Sequence, residues 1–282
     1  MANVQCIYHK NCADGLSAAA VVLNVHPEME EVDFLPMHYG DILPRDWFRG
    51  EVLYIVDFSL PPELMTTLAK GWFKIVVLDH HESAVRKYDG WKCPDNVELV
   101  FDMKRSGAVL AWEYLSDKPA PLSLKCVQDR DLWQWELPET AAFSAALSIG
   151  KQTPLSYYKM LFYRKTDAMV NLGAPIVSYQ KQQVAKVFAD KRVNFCGHNV
   201  PILNSTTLIS EIGNKLAKDE PFVIIYFIKS DDVVISLRSD KNGLNVAEIA
   251  EGFGGGGHYH AAGFKLPLAE FVKSYLGEKH VL

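Results

Sequence analysis

Short apolar runs alternate with helical patterns through the first half of the chain. VQCIYH precedes DGLSAAAVVLNV, VLYIVDFS precedes PPELMTTLAK, and KIVVLDHH precedes SGAVLAWEYL. Strand, helix, strand in succession predicts a parallel sheet with crossover helices, because parallel neighbours need a long return connection. The runs are rich in Val, Ile and Leu, as strands buried on both faces are. From about Thr166 to Lys191 there is no strand signal, and apolar residues recur at helical spacing after Pro175, which predicts a connecting helix. Beyond it, PFVIIYFIKSDDVVISLRS holds two β-type runs around the polar turn Lys229-Ser230-Asp231-Asp232, an antiparallel hairpin. The expected fold class is α/β: a parallel-sheet domain over residues 1–165, a connecting helix over 166–192 and a smaller α/β domain over 193–282.

Composition narrows this picture. At 282 residues and 49% hydrophobic, the chain has room for two domains, each with its own core. A net charge of −5 argues against a protein that grips long duplex nucleic acid through many phosphate contacts, while leaving room for a short anionic substrate in a local basic pocket. Five cysteines (Cys6, Cys12, Cys93, Cys126, Cys196) without a CxxC pair indicate neither a disulfide framework nor a zinc ribbon, and fit a reducing compartment. The N-terminal MANVQCIYHKN lacks the charged region and long apolar core of a signal peptide, and no stretch reaches the roughly 18 apolar residues of a membrane span. A soluble, cytoplasmic protein with no membrane partner is therefore expected.

The candidate chemistry sits where the apolar runs stop. His9 ends the first, Asp57 follows the second, and Asp79-His80-His81 closes the third. Carboxyl ends of parallel strands are where crevices form in open α/β sheets, so groups far apart in sequence converge there. Asp14 at the start of the first helix and Asp129 and Asp131 in VQDRDLWQW add carboxylates. Any one of these Asp residues also suits a helix cap or a turn. Three successive strand ends carrying Asp or His instead suggest a site, and oxygen ligands with imidazole suit manganese or a similar divalent ion. Asp57, the only acidic residue at its strand end, is the expected bridge between two ions.

In the second half, Gly254-Gly255-Gly256-Gly257-His258 permits positive φ and close backbone approach, so that several amides can face one anion; the same run suits a flexible surface loop. Arg238 closes VVISLRS with a guanidinium suited to phosphate, or to a surface ion pair. Asn245 opens NVAEIAEGF as an N-cap or as a substrate contact. Trp133, Trp135, Phe253 and Tyr259 are either core residues or surfaces on which a base stacks.

These motifs, YHKNCADGLSAAA, VDFS, LDHH, QDRDLW and GGGGHYHAAGF in that order, resemble the DHH phosphoesterase family with its C-terminal DHHA1 domain over nearly the whole chain. The resemblance implies a dinuclear Mn2+ site on the first domain, with Mg2+ or another divalent ion as the alternative, and a second domain that contacts substrate across a cleft. It implies metal ligation by His9, Asp14, Asp57, His80 and Asp129, the last preferred to Asp131. His81 is expected beside the transferring phosphoryl group, and His258 as a second catalytic group that also binds substrate with Arg238, Gly255, Gly256 and Gly257. One position departs from the family pattern: Cys12 stands where many members carry the first Asp of an Asp-x-Asp pair. The spacing from His9 to Asp14 is also one residue shorter than the common one.

The activity that follows is hydrolysis of a phosphoester by a metal-activated water, on a short oligonucleotide, a cyclic nucleotide or a nucleoside bisphosphate, with exonuclease-like action included. The protein is expected to act as a monomer or homodimer. Two other readings stand beside it: a polyphosphate or pyrophosphate hydrolase, which needs no base-stacking surface, and a nucleotide-binding sensor whose catalytic site is degraded at Cys12.

Overall fold

In the computed structural model, which describes residues 4–26 and 32–277, five parallel strands form the first sheet. They are β1 (Val4–His9), β2 (Val32–Met37), β3 (Gly50–Val56), β4 (Trp72–Asp79) and β5 (Val97–Phe101), in the spatial order β2-β1-β3-β4-β5. Helices α1 (Ala13–Val25), α2 (Pro62–Leu68), α3 (Glu82–Tyr88) and α4 (Gly107–Leu115) lie between or after them. Strand alternation divides the core in two. Cys6, Tyr8, Val56, Val76 and Leu78 join α1 and α4 residues in one cluster. Ile7, Leu53, Ile55, Ile75 and Val77 join Met65, Leu68, Trp47 and Trp72 in the other. Every central strand thus buries both faces, which is why each reads as an unbroken apolar run.

The order reverses at β1: β2 lies on one side of it and β3 on the other. Connections leaving β1 and β3 therefore diverge above their carboxyl ends, and a crevice opens there. His9 and Asp57 stand on either side of that switch point. The chain continues through α5 (Leu122–Asp131), α6 (Thr140–Ser148), α7 (Pro154–Tyr158) and α8 (Thr166–Lys186), the last running through Pro175. Two units separate within α8, between Ser178 and Tyr179.

The second unit is built on a six-stranded sheet of order β10-β11-β9-β8-β7-β6. Its elements are β6 (Lys191–Phe195), β7 (His198–Asn204), α9 (Ile209–Leu216), β8 (Val223–Lys229), β9 (Asp232–Arg238), α10 (Val246–Glu251), β10 (Gly256–His258), β11 (Ala261–Pro267) and α11 (Leu268–Phe271). All pairs are antiparallel except β7 with β8. β8 and β9 are the hairpin expected from the sequence, closing at Lys229 opposite Asp232 with Ser230 at φ 55. Phe195, Phe222, Ile224, Ile235 and Phe264 lie in its core. No helix among the described residues is long and apolar enough to cross a membrane.

Candidate metal centre

At the carboxyl edge of the first sheet, one imidazole nitrogen is ringed by carboxylates. Nε2 of His80 lies 3.0 Å from Asp57 Oδ1, 3.5 Å from Asp131 Oδ2 and 3.6 Å from Asp14 Oδ2. His80, Asp14 and Asp57 are buried, with 2% or less of each exposed. Burial raises the Asp14 carboxyl well above its usual range and Asp131 above it, with Asp57 adding to both. Burial opposes ionisation of Asp57 too, but the imidazoles of His80 and His9 beside it hold it well below that range. On His80, burial is outweighed by Asp131 and Asp57, and the imidazole is pushed up to about 10. Divided carboxyl affinities around one point are a mark of a functional site.

Asp57 faces two ways. Oδ1 turns to His80, whereas Oδ2 lies 3.6 Å from His9 Nδ1, and neither of those last two buried atoms has a hydrogen-bond partner. Ligand atoms from Asp14, Asp57 and His80 lie within 4.8 Å of one another, and so do those from His9, Cys12 and Asp57. Two donors each about 2.1 Å from one ion stand roughly 3–4 Å apart, which is the separation seen between His9 and Asp57. Hard carboxylates with imidazole, among them the unpartnered Asp57 Oδ2 and His9 Nδ1, fit a divalent cation. Asp57 belongs to both groups. It also holds a left-handed backbone conformation (φ 50), costly for a residue with a Cβ and concentrated at functional sites.

The surrounding chain orients these groups. Asp14 accepts from the amides of Gly107 (2.5 Å) and Ala108 (3.0 Å), so the first turn of α4 holds its carboxylate where the helix dipole favours a negative charge. A Cβ on Gly107 would stand 2.5 Å from Asp57 Cβ and 2.8 Å from its Cα, so only glycine admits this approach. Asp79 accepts from Ser59 Oγ (2.5 Å), from the amides of His80 (2.7 Å) and His81 (3.2 Å), and from His81 Nδ1 (2.7 Å). Despite full burial, these partners, His81 foremost, bring its carboxyl down to about 2. Asp79 in turn raises His81 above the ordinary imidazole value against the effect of burial. With Nδ1 held by Asp79, the proton that His81 can exchange is on Nε2.

One expected ligand is displaced. Asp129 is turned towards the chain that follows it, where its carboxylate accepts from the amides of Glu136 (2.8 Å) and Leu137 (3.1 Å) and from the Thr140 hydroxyl. It ties the end of α5 to the start of α6. Asp131, two residues on, is the one brought to His80. The two sit on different sides of a helix, a distinction that the spacing of QDRDLW contains but that needs the helix phase to read.

Sequence reasoning assigned no role to Tyr39 or Ser59. Tyr39 follows β2 and places its ring 6.0 Å from His9 and 6.1 Å from His81, with a buried hydroxyl that has no hydrogen-bond partner. Burial, with Asp79 and Asp57 nearby, keeps that phenol protonated. A strand before Tyr39 was the missing signal. Beyond α5, Trp133 and Trp135 both hold positive φ (57 and 59) and meet edge-on at 5.0 Å, with the Arg130 guanidinium 4.4 and 5.0 Å from their ring centres.

In the second unit, His258 on β10 pairs with Ala261 on β11, and Ala261 pairs with Arg238 on β9. Residues directly opposite share a face of an antiparallel sheet, so His258 and Arg238 lie in one row on one face. Arg238 donates to the Leu237 carbonyl (2.9 Å) and to Ser210 Oγ (3.3 Å). The glycine run is not an open loop. The Gly254 and Gly255 amides donate to the carbonyls of Glu251 (3.0 Å) and Ala250 (2.9 Å), and Gly256 and Gly257 pair with β11. The Gly255 amide thus closes a helix end instead of facing an anion. Asn245 caps α10, accepting from the Ala247 amide at 3.1 Å.

Residues 193–278 match the DHHA1 domain. The chain is 28% identical over 282 residues to an uncharacterized protein, R106, of Acanthamoeba polyphaga mimivirus, covering 91% of this chain and 66% of that one. It is 25% identical over 245 residues to oligoribonuclease NrnB of Bacillus subtilis (strain 168), covering 76% and 59%. The chain therefore spans under two thirds of the length of these curated relatives. Among solved structures it is similar to RecJ of Thermus thermophilus in complex with Mn2+, at a TM-score of 0.50 and 16% identity, covering 96% of this chain and 50% of that one. At that identity the likeness speaks for the fold.

Proposed function

Since the chain belongs to the DHH/DHHA1 phosphoesterase family, we propose that it is a divalent-cation-dependent hydrolase of phosphoester bonds in a small nucleotide or short oligonucleotide. The observation that carries this reading is the two-sided placement of Asp57, whose oxygens face His80 on one side and His9 on the other. Asp14, Asp57, His80 and Asp131 would hold one cation, and His9 with Asp57 would hold a second; Mn2+ is the ion we assign. A bound divalent cation makes water nucleophilic near neutral pH and withdraws charge from the phosphoryl oxygens.

The chain's own groups do the rest. His81, oriented by Asp79 at 2.7 Å, presents its Nε2 proton to a phosphoryl or leaving oxygen. Apolar walls from Phe58 and the ring of Tyr39 limit the access of bulk water around His9. Arg130 with Trp133 and Trp135 offers stacking surfaces and a cation beside Asp131, which favours a base-bearing substrate over polyphosphate. In the DHHA1 domain, the row formed by Arg238 and His258 supplies a guanidinium and an imidazole suited to a terminal phosphate. A cytoplasmic location and a monomeric or dimeric state complete the proposal.

Turnover of a panel tests it: a dinucleotide, a nucleoside bisphosphate, a cyclic dinucleotide and polyphosphate, each with and without Mn2+. Mn2+-dependent cleavage of a nucleotide is the expected result. Cleavage of polyphosphate alone would overturn the substrate assignment, and binding without turnover at any Mn2+ concentration would point to a sensor.

A further inference from the structure

Cys12 opens α1 at the position where an oxygen-bearing side chain more often caps a helix, and its sulfur lies within 4.8 Å of the ligand atoms of both His9 and Asp57. Two further observations mark this corner as a binding position. Asp57, 1% exposed, aims Oδ2 into it with no hydrogen-bond partner, and the buried His9 Nδ1 does the same from 3.6 Å away. Cys6 and Cys126, by contrast, lie among the apolar residues of the core.

We propose that Cys12 is a thiolate ligand, completing with His9 and Asp57 a cation position that prefers a borderline ion such as Co2+ or Zn2+ to Mn2+. The inference rests on the metal-dependent reading above and refines it. The two positions that share Asp57 then differ in chemistry. Around His80 the donors are three carboxylates and one imidazole, a hard set suited to Mn2+; around His9 they are sulfur, nitrogen and a single carboxylate oxygen. Thiolate sulfur and imidazole favour later first-row ions, and the metal–sulfur bond forms as the thiol proton leaves to solvent. Cys12 in place of a carboxylate is therefore a change of ion preference, not the loss of a position.

Cobalt reports this directly. Full-length protein stripped of metal is titrated with Co2+, and its absorption is followed in the near-ultraviolet, where sulfur-to-cobalt charge transfer appears, and in the visible, where bound Co2+ absorbs whatever its ligands. Wild type is expected to gain both signals together. Cys12→Ser and Cys12→Asp are expected to keep the visible bands and lose the charge-transfer band, and Cys12→Asp to shift the preference towards Mn2+ in competition. Circular dichroism identifies any variant that fails to fold, and the two substitutions back each other. Visible bands without charge transfer in wild type, or a charge-transfer band that survives both substitutions, would overturn the thiolate while leaving the centre standing. Wild type that binds no Co2+ at all would overturn the centre and this inference with it.

Discussion

In the first sheet His9, Asp57 and Asp79 stand at or just past the ends of three neighbouring parallel strands, whereas in the second sheet Arg238 and His258 lie across the strands in a single row. The first arrangement gathers buried charge: three carboxylates around His80, with Asp57 raising the other two. The second keeps its arginine and histidine half-exposed. Parallel strands place consecutive carboxyl ends side by side, so one chemistry can be assembled from segments distant in sequence. Antiparallel strands alternate their ends, and convergence comes from register instead. The proposal gives cation binding to the first unit and anion recognition to the second, and each half can be broken separately.

The largest effect is expected within α5, where two aspartates two residues apart do different things. Asp131→Asn should lower kcat by about 10²–10³-fold and weaken cation binding while leaving the fold intact. Asp129→Asn should do the opposite, costing about 1–3 kcal/mol of stability in denaturant unfolding with the cation retained. If Asp129→Asn strips the cation and Asp131→Asn does not, the reading of α5 is wrong.

Arg238→Ala comes next. Loss of a charge-assisted contact worth about 1.5–3 kcal/mol should raise KM roughly 10–100-fold. Cation content, measured on the same sample, should not change. A fall in bound cation would place Arg238 in the wrong half of the comparison.

Gly107→Ala is the smallest perturbation. The added methyl presses on the Asp57 backbone, and overpacking of this kind costs about 1–3 kcal/mol. A lower melting temperature with weaker cation affinity is expected, because Asp57 must move. Unchanged affinity would mean that the site tolerates displacement of its shared ligand.

The asymmetry between the units also governs what could be read from the sequence. β1, β3 and β4 bury both faces and read as apolar runs, so the polar residues that end them stand out against Val, Ile and Leu. β2 and β5 are edge strands with half-exposed faces, and Asp33, Pro36 and Glu98 break their pattern. Tyr39 went unassigned for that reason: nothing announced the strand before it. Asp129 and Asp131 could be told apart only through helix phase, and Asp129 was misplaced because its partners, the amides of 136 and 137 and the Thr140 hydroxyl, belong to a turn that spacing does not reveal. Four consecutive glycines suggest free amides, yet a capped helix end and a tightly paired strand require glycine just as strictly, since a Cβ on Gly257 would stand 2.5 Å from the Ala261 carbonyl oxygen.

The central claim is that Asp57 is shared by two cation positions. Counting bound Mn2+ per chain by calorimetry and elemental analysis, in wild type and in Asp57→Asn, tests it most directly. The account predicts two ions per wild-type chain under saturating Mn2+ and loss of both from Asp57→Asn, because each position depends on one of its oxygens. An Asp57→Asn protein that retains either ion at wild-type affinity would contradict it.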